Sequence, residues 1–449
     1  MELFNISNQT PLSLAVFFFA GLAVLVGPRN WILPTLLTVS VFVSNAPHIV
    51  IFGQTFMVHR FLLVCAWLRI LGSNEPRNLL RLPMDKALIL FAVWTLIGDT
   101  LLWQTFGSFI YQVANSIVDA LGTYFLCRIL LRERADLQRI LVSLVVICVV
   151  VAGFMAVEHV TRRNWLSALG ALVNFVQVRE GKLRCQAAFS TPITAGTFGA
   201  VLLPLFVGLW WQGGKMKRLA VAGCIAVTII TVTASSGGPL LTYVAAILGL
   251  LMWRLRDHMR VVRWSVGISL LGLHLVMKAP VWALIGRIHV IPGSSSYHRY
   301  EVIDNFMEHI DQWWALGVRA TGEWGWCMDD VANQYCVAAK HGGLLSVFLF
   351  LGIIVMVFKE VGARREEVRD DVSKEFIVWS FGVMFWAHCV SFVGISYFDQ
   401  TKVLWYFSLA MLASLRLVTE PQEAVTATVP NENLAPNNVV TVNSGITLV

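Results

Sequence analysis

Arg299 is the residue of this 449-residue chain whose type and position most directly suggest chemistry. It lies in a polar, Trp-rich insert, residues 278–343, of an otherwise apolar sequence. After the Pro292-Gly293 break and a start signal at Ser294, Ser295 and Ser296, residues 297–316 carry a helical period. Val302, Ile303, Phe306, Met307, Ile310, Trp313 and Trp314 fall on one face of that helix. Glu301, Asp304, Asn305, Glu308, Asp311 and Gln312 fall on the other, which predicts an amphipathic helix lying on the bilayer surface. Arg299 projects from the apolar face. Either it snorkels near the helix start, or it aims a guanidinium into a cleft beneath, where it binds an anionic group.

Two further stretches offer the same chemistry. Lys182 to Pro192 runs into a span rich in small residues, with Arg184 just before a Pro-initiated helix start whose backbone N–H groups are free to face an anion. The alternative, an ordinary solvated loop arginine, covers Arg184 together with Arg162, Arg163 and Arg179. Ser235, Ser236, Gly237, Gly238 and Pro239 form a second polar, helix-opening turn. A pocket built from these regions would be cationic and rich in backbone donors.

The elements that must position these groups are membrane spans. At 57% hydrophobic and 14% charged, the chain has more apolar surface than one soluble core can use. The predicted fold is an all-α integral membrane protein, a polytopic bundle of about 12–14 transmembrane helices with one large helical outer loop. The expected spans are 11–26, 31–52, 55–71, 84–103, 107–131, 137–157, 188–211, 219–234, 239–253, 262–277, 344–358, 376–395 and 403–415. One alternating set of short connections holds about two thirds of the Lys and Arg residues, and such connections stay cytoplasmic. The opposite short connections hold Lys402. This asymmetry predicts an N-terminus outside, a C-terminus inside, and outer loops at 158–187 and 278–343. The bundle is expected to occupy residues 1–418 and a disordered cytoplasmic tail 419–449. The net charge of +7 reflects this topology and makes no case for nucleic acid.

Inside the bundle, Arg60 and Asp99 are expected to pair, and Asp119 to be hydrogen-bonded or a proton-handling group. His59, His274 and His388 read as packed neutral side chains. Cys185, Cys327 and Cys336 face the outer side, where one disulfide is open to them. No metal-ligand spacing and no phosphate-cradling Gly-rich loop occurs in the sequence, so neither metal nor cofactor is expected.

From Leu183 to Phe358 the chain resembles the O-antigen ligase and polysaccharide polymerase superfamily. Arg184, Phe189 and Pro192 resemble its Arg-x-x-x-x-Phe-x-x-Pro entry to a span, and Thr233 to Gly237 resemble its Thr-x-Ser-Arg-Gly turn. Arg299 matches the arginine that opens the loop helix. Asp330, Asn333 and Tyr335, followed by Gly342 and Gly343, resemble the closing motif. The turn's usual arginine is Ser236 here, and the histidine that ligases carry before the asparagine is Ala332. An acidic residue ahead of the asparagine is the form of the polymerase branch.

The resemblance implies a bundle like that of GT-C-like glycosyltransferases and a metal-independent, inverting glycosyl transfer at the outer leaflet of a bacterial inner membrane. An undecaprenyl-pyrophosphate-linked oligosaccharide donor is attacked by a hydroxyl of a second lipid-linked unit, and a chain-length regulator and a flippase are the implied partners. Arg184 and Arg299 would clamp the pyrophosphate, Asp330 or Asp329 would take the hydroxyl proton, and Asn333, Tyr335, Ser235 and Ser236 would contact substrate. Trp313, Trp314, Trp324 and Trp326 would stack on sugars or anchor the loop among lipid headgroups. A ligase passing finished glycan to a lipid or protein acceptor, and a transporter or flippase, are the alternatives.

Overall fold

The computed structural model describes residues 4–7, 10–43, 48–51, 54–73, 82–170, 173–288 and 296–419. Residues 420–449 of the expected tail, the Pro292-Gly293 break and Ser294 and Ser295 lie outside the described residues. The protein is all-α in class, and among the described residues nine helices are long and apolar enough to cross a membrane. The chain is therefore a multi-pass membrane protein by helix length and composition.

Among the described residues nine candidate spans stand against the expected 12–14, for three local reasons. Three early segments are short: Pro11–Val26 has 16 residues, Ile32–Phe42 has 11 and Val58–Leu71 has 14. Part of the apolar run expected as span 31–52 is instead the strand His48–Ile51, which pairs antiparallel with both Phe4–Ser7 and Gln54–Met57. A short β-branched apolar run satisfies either a helix or a strand, and here one strand partner, Gln54–Met57, follows almost at once while the other, Phe4–Ser7, lies far off in sequence. The expected spans 239–253 and 262–277 join into one helical run, Gly237–Val276, whose second half, Met259–Val276, buries no residue.

The core gathers around Pro192–Leu209, which is buried over most of its length. Small residues let two neighbours approach it closely. A Cβ at Gly196 would lie 2.7 Å from Pro239, and one at Gly208 would lie 2.8 Å from the Ser380 hydroxyl, so the helices Gly237–Leu251 and Val372–Phe392 close on it at both ends. Thr191 caps the helix start by exchanging hydrogen bonds with Thr194, with Pro192 in the first turn.

Charges inside the bundle are paired, with partners that differ from expectation. Arg60 bonds Asp119, at 2.8 and 2.9 Å, and not Asp99. The reason is a π-helical stretch, Val113–Gly122, whose wider turn carries Asn115 and Asp119 to the Val58–Leu71 helix. Asp99, 1% exposed, instead takes His341 Nδ1 at 2.9 Å and Gln112. His59 sits buried between Ser40 and Thr123, and His388 is buried against Tyr397.

Candidate functional site

At one end of the bundle the loop helix Ser296–Glu308 carries Arg299 into a cavity of about 340 Å³. The helix does so because its other inward residues are locked. Val302 and Phe306 pack with Trp313, Met328, Val331, Cys336 and Ala339 into a small core belonging to the loop itself. This corrects the expectation of a helix resting on the bilayer: the apolar face is covered by the loop's own chain, which leaves Met307, Ile310 and Trp314 exposed. Of the other tryptophans, Trp313 is buried and donates to the Phe306 carbonyl, Trp324 stacks on His309 at 4.8 Å, and Trp326 is exposed.

Arg299 is 9% exposed, and burial followed by the charge of Arg179 lowers the proton affinity of its guanidinium. It makes no ion pair among the described residues. Its one hydrogen bond is long, from Nε to the Gly394 carbonyl at 3.4 Å. Glycines make room for the group: a Cβ at Gly238 would lie 3.1 Å from Nη2 and one at Gly394 would lie 2.9 Å from Nε. Around it the walls are apolar, from Ile193, Leu241, Ile285, Trp386, Val390 and Ile395. Other polar features face the cavity, among them the Ser391 hydroxyl, which is buried without a hydrogen-bond partner among the described residues. The Thr197 hydroxyl is buried without a partner, and the helix starting at Gly237 has no side-chain cap, because the Ser236 hydroxyl bonds none of its first-turn N–H groups. A carboxylate or phosphate there would meet a guanidinium, a hydroxyl and a helix N-terminus at once.

Arg184 ends the second strand of a hairpin, Gln177–Arg179 with Lys182–Arg184. The segment after it is pinned by buried groups. Glu158 accepts the N–H groups of Gln186 and Ala187 at 3.1 and 2.8 Å, Asn164 donates to the Ala187 carbonyl at 2.6 Å, and Cys185 N–H bonds the Thr233 carbonyl at 3.0 Å. The last of these ties the first loop to the Ser235–Ser236 turn. Arg184 is half-buried, its Nε has no partner, and burial and then Arg179 lower its proton affinity. Arg179 thus acts on both arginines. Sequence reasoning left it among the solvated loop arginines; the alternation of the 177–179 strand was the signal available.

Asp329 and Asp330 are exposed, and neither carboxylate has a hydrogen bond or ion pair among the described residues. The Asp330 carbonyl accepts from His298 Nε2 at 3.2 Å, which sets this loop beside the turn that carries Arg299. Asn333 is buried and works on the backbone: its Oδ1 caps the helix Gln334–Lys340 at Tyr335 and Cys336, and its Nδ2 donates to the Val393 carbonyl at 3.2 Å. Tyr335 lines the cavity with its ring while its hydroxyl donates to the Cys389 carbonyl at 3.0 Å, and burial raises the pKa of the phenol. Ser235 stands at φ 42° with its hydroxyl on the Val232 carbonyl. Cys185, Cys327 and Cys336 are free thiols, and only Cys327 is exposed.

The structure therefore brings Arg299, Tyr335, Gly237 and Gly238 to one cavity, and it leaves Arg184 and Arg179 on the hairpin, outside the residues that line it. It places Asp330 next to the Arg299 turn and directs Asn333 to the fold. Among the described residues no group of three His, Cys, Asp or Glu side chains is arranged to hold a metal ion. Comparison with protein-family models gives no match, and no curated protein matches the chain.

Proposed function

We propose that the protein polymerises polyprenyl-pyrophosphate-linked oligosaccharide repeat units at the outer leaflet of a bacterial inner membrane. One observation supports the reading above the others: a buried guanidinium that has no carboxylate partner among the described residues, aimed into an apolar-walled cavity beside an uncapped helix start. A phosphate on a long hydrocarbon chain matches both halves of that cavity, whereas a soluble anion has no use for the walls. Desolvating Arg299 without a partner costs free energy that an incoming anion recovers.

In the reaction, a hydroxyl of one lipid-linked unit attacks the anomeric carbon of another, and the glycosyl–phosphate bond breaks with inversion. Arg299 and Arg184 stabilise the charge that develops on the departing pyrophosphate. Asp330, exposed and unpaired beside the Arg299 turn, accepts the hydroxyl proton, and Asp329 is its neighbour on the same loop. Tyr335, held neutral, shapes the cavity wall.

A ligase that hands finished glycan to another acceptor would share these arginines and differ in what it joins. Deleting the gene and sizing the surface glycan separates the two. Single repeats on the finished acceptor support the polymerase; long chains stranded on carrier lipid point to the ligase. Unaltered glycan overturns both.

A further inference from the structure

We propose that Thr197 is the residue by which the cavity tells a phosphate from a carboxylate: its hydroxyl and the open start of the helix Gly237–Leu251 take the oxygen of a phosphoryl group that the Arg299 guanidinium leaves over. The inference rests on the functional reading above and adds to it the residue that selects the anionic headgroup.

Thr197 stands out by what its hydroxyl does not do. In the neighbouring helices Thr228, Thr231, Thr233 and Thr242 each donate to the carbonyl four residues back, the usual outlet for a threonine hydroxyl inside an apolar helix. Thr197 is 1% exposed on the helix Pro192–Leu209, and its hydroxyl has no partner among the described residues, that carbonyl included. A buried hydroxyl left so is costly unless a ligand meets it, and Thr197 lines the cavity.

The packing around Thr197 brings further donors to the same place. Gly196, the residue before it, is so close to the next helix that a Cβ there would lie 2.7 Å from Pro239. Immediately before Pro239 come Gly237 and Gly238, both in the cavity wall, whose N–H groups no side chain caps. A Cβ at Gly238 would lie 3.1 Å from Arg299 Nη2, so the guanidinium abuts the same turn. Donors from the loop helix, from Pro192–Leu209 and from Gly237–Leu251 thus meet in one cavity. Ser391 brings another hydroxyl from Val372–Phe392; Thr197 is the better placed, because its helix is packed on the open turn.

A carboxylate has two oxygens in one plane, and a guanidinium fork occupies both. A phosphate ester keeps a further oxygen, out of that plane, for the hydroxyl and the N–H groups.

The test titrates purified protein in lipid nanodiscs with geranylgeranyl monophosphate and geranylgeranoic acid, which carry the same hydrocarbon chain, at a pH where both headgroups are ionised. Wild type is expected to bind the phosphate about tenfold more tightly, the discrimination one charge-assisted hydrogen bond supplies. Thr197→Val, nearly the same shape without the hydroxyl, should lower phosphate affinity about tenfold and leave the carboxylate unchanged. Its midpoint of thermal unfolding without ligand should stay level or rise, since no hydrogen bond is lost. Thr197→Ser should bind the phosphate as wild type does. Equal binding of the two probes by wild type overturns the inference and leaves the functional reading standing. So does a valine variant that binds phosphate as tightly as wild type, or one that weakens both probes alike. If wild type binds neither probe, the functional reading falls and the inference with it.

Discussion

Arg299 is buried, and among the described residues one distant carbonyl is its only hydrogen-bond partner. A guanidinium placed so is preorganised, because its position is set by Val302 and Phe306 on the same helix and by the glycines that flank it. Replacing it with lysine keeps the charge and loses the planar fork. Arg299→Lys is therefore expected to lower the rate of glycan chain growth by about 100-fold or more, as loss of one preorganised donor does; growth at the wild-type rate in a membrane assay would remove Arg299 from the site. Asp330→Asn tests the proton acceptor. The carboxylate is exposed and unpaired, so the substitution should leave stability within about 0.5 kcal/mol and lipid-phosphate binding intact while chain growth stops. Normal growth of that variant alongside a dead Arg299→Ala would keep the arginine clamp and discard the base. Since arginines supply the charge neutralisation, activity should also persist in EDTA; a loss that divalent metal restores would contradict the clamp. Arg299 was visible in the sequence because it interrupts an apolar face. Arg179 was not, because which way it points depends on pairing with Lys182.

The elements around the site act as fixtures. Asn333 fastens the helix Gln334–Lys340 by capping two N–H groups and ties it to Val393 at the end of Val372–Phe392. Asn333→Ala removes all three bonds and is expected to destabilise the protein by about 1–2 kcal/mol, the range of a lost N-cap, seen as a lower midpoint of thermal unfolding in detergent. An unchanged midpoint would return Asn333 to the substrate contacts the sequence assigned it. Its motif was legible; its target was not, since Val393 lies 60 residues away and only the packed bundle brings the two together. The loop helix teaches the same lesson. Periodicity singled out part of its buried face: Arg299, Val302, Phe306 and Trp313 are buried, while Met307, Ile310 and Trp314 of the same expected face are exposed. Periodicity does not say what covers a face, and here Met328, Val331 and Cys336 supply the cover that lipid was expected to give.

For the molecule as a whole, the charge asymmetry among its connections predicts, by the positive-inside rule, a 278–343 loop outside the cytoplasm, and this prediction has a direct test. Cys327 is exposed on that loop at φ 57°, whereas Cys336 is buried and burial pushes its thiol up to about 12. A membrane-impermeant maleimide applied to intact cells should therefore label the protein at Cys327, and Cys327→Ser should abolish the signal. Labelling that appears only after the membrane is opened would reverse the topology. Composition and hydropathy were enough to establish an all-α membrane bundle, because transfer from water into lipid is nearly additive over residues and needs no knowledge of neighbours. The count of spans and the partners inside them came from tertiary structure. The strand His48–Ile51 exists because Phe4–Ser7 and Gln54–Met57 lie beside it, Arg60 meets Asp119 because a π-helical turn rotates that carboxylate toward it, and Arg299 faces a cavity because segments as far apart in the chain as Ile193 and Ile395 meet around it. Hydrogen bonds and charge pairs are short-ranged and directional, so they are decided by which surfaces meet after the chain has folded.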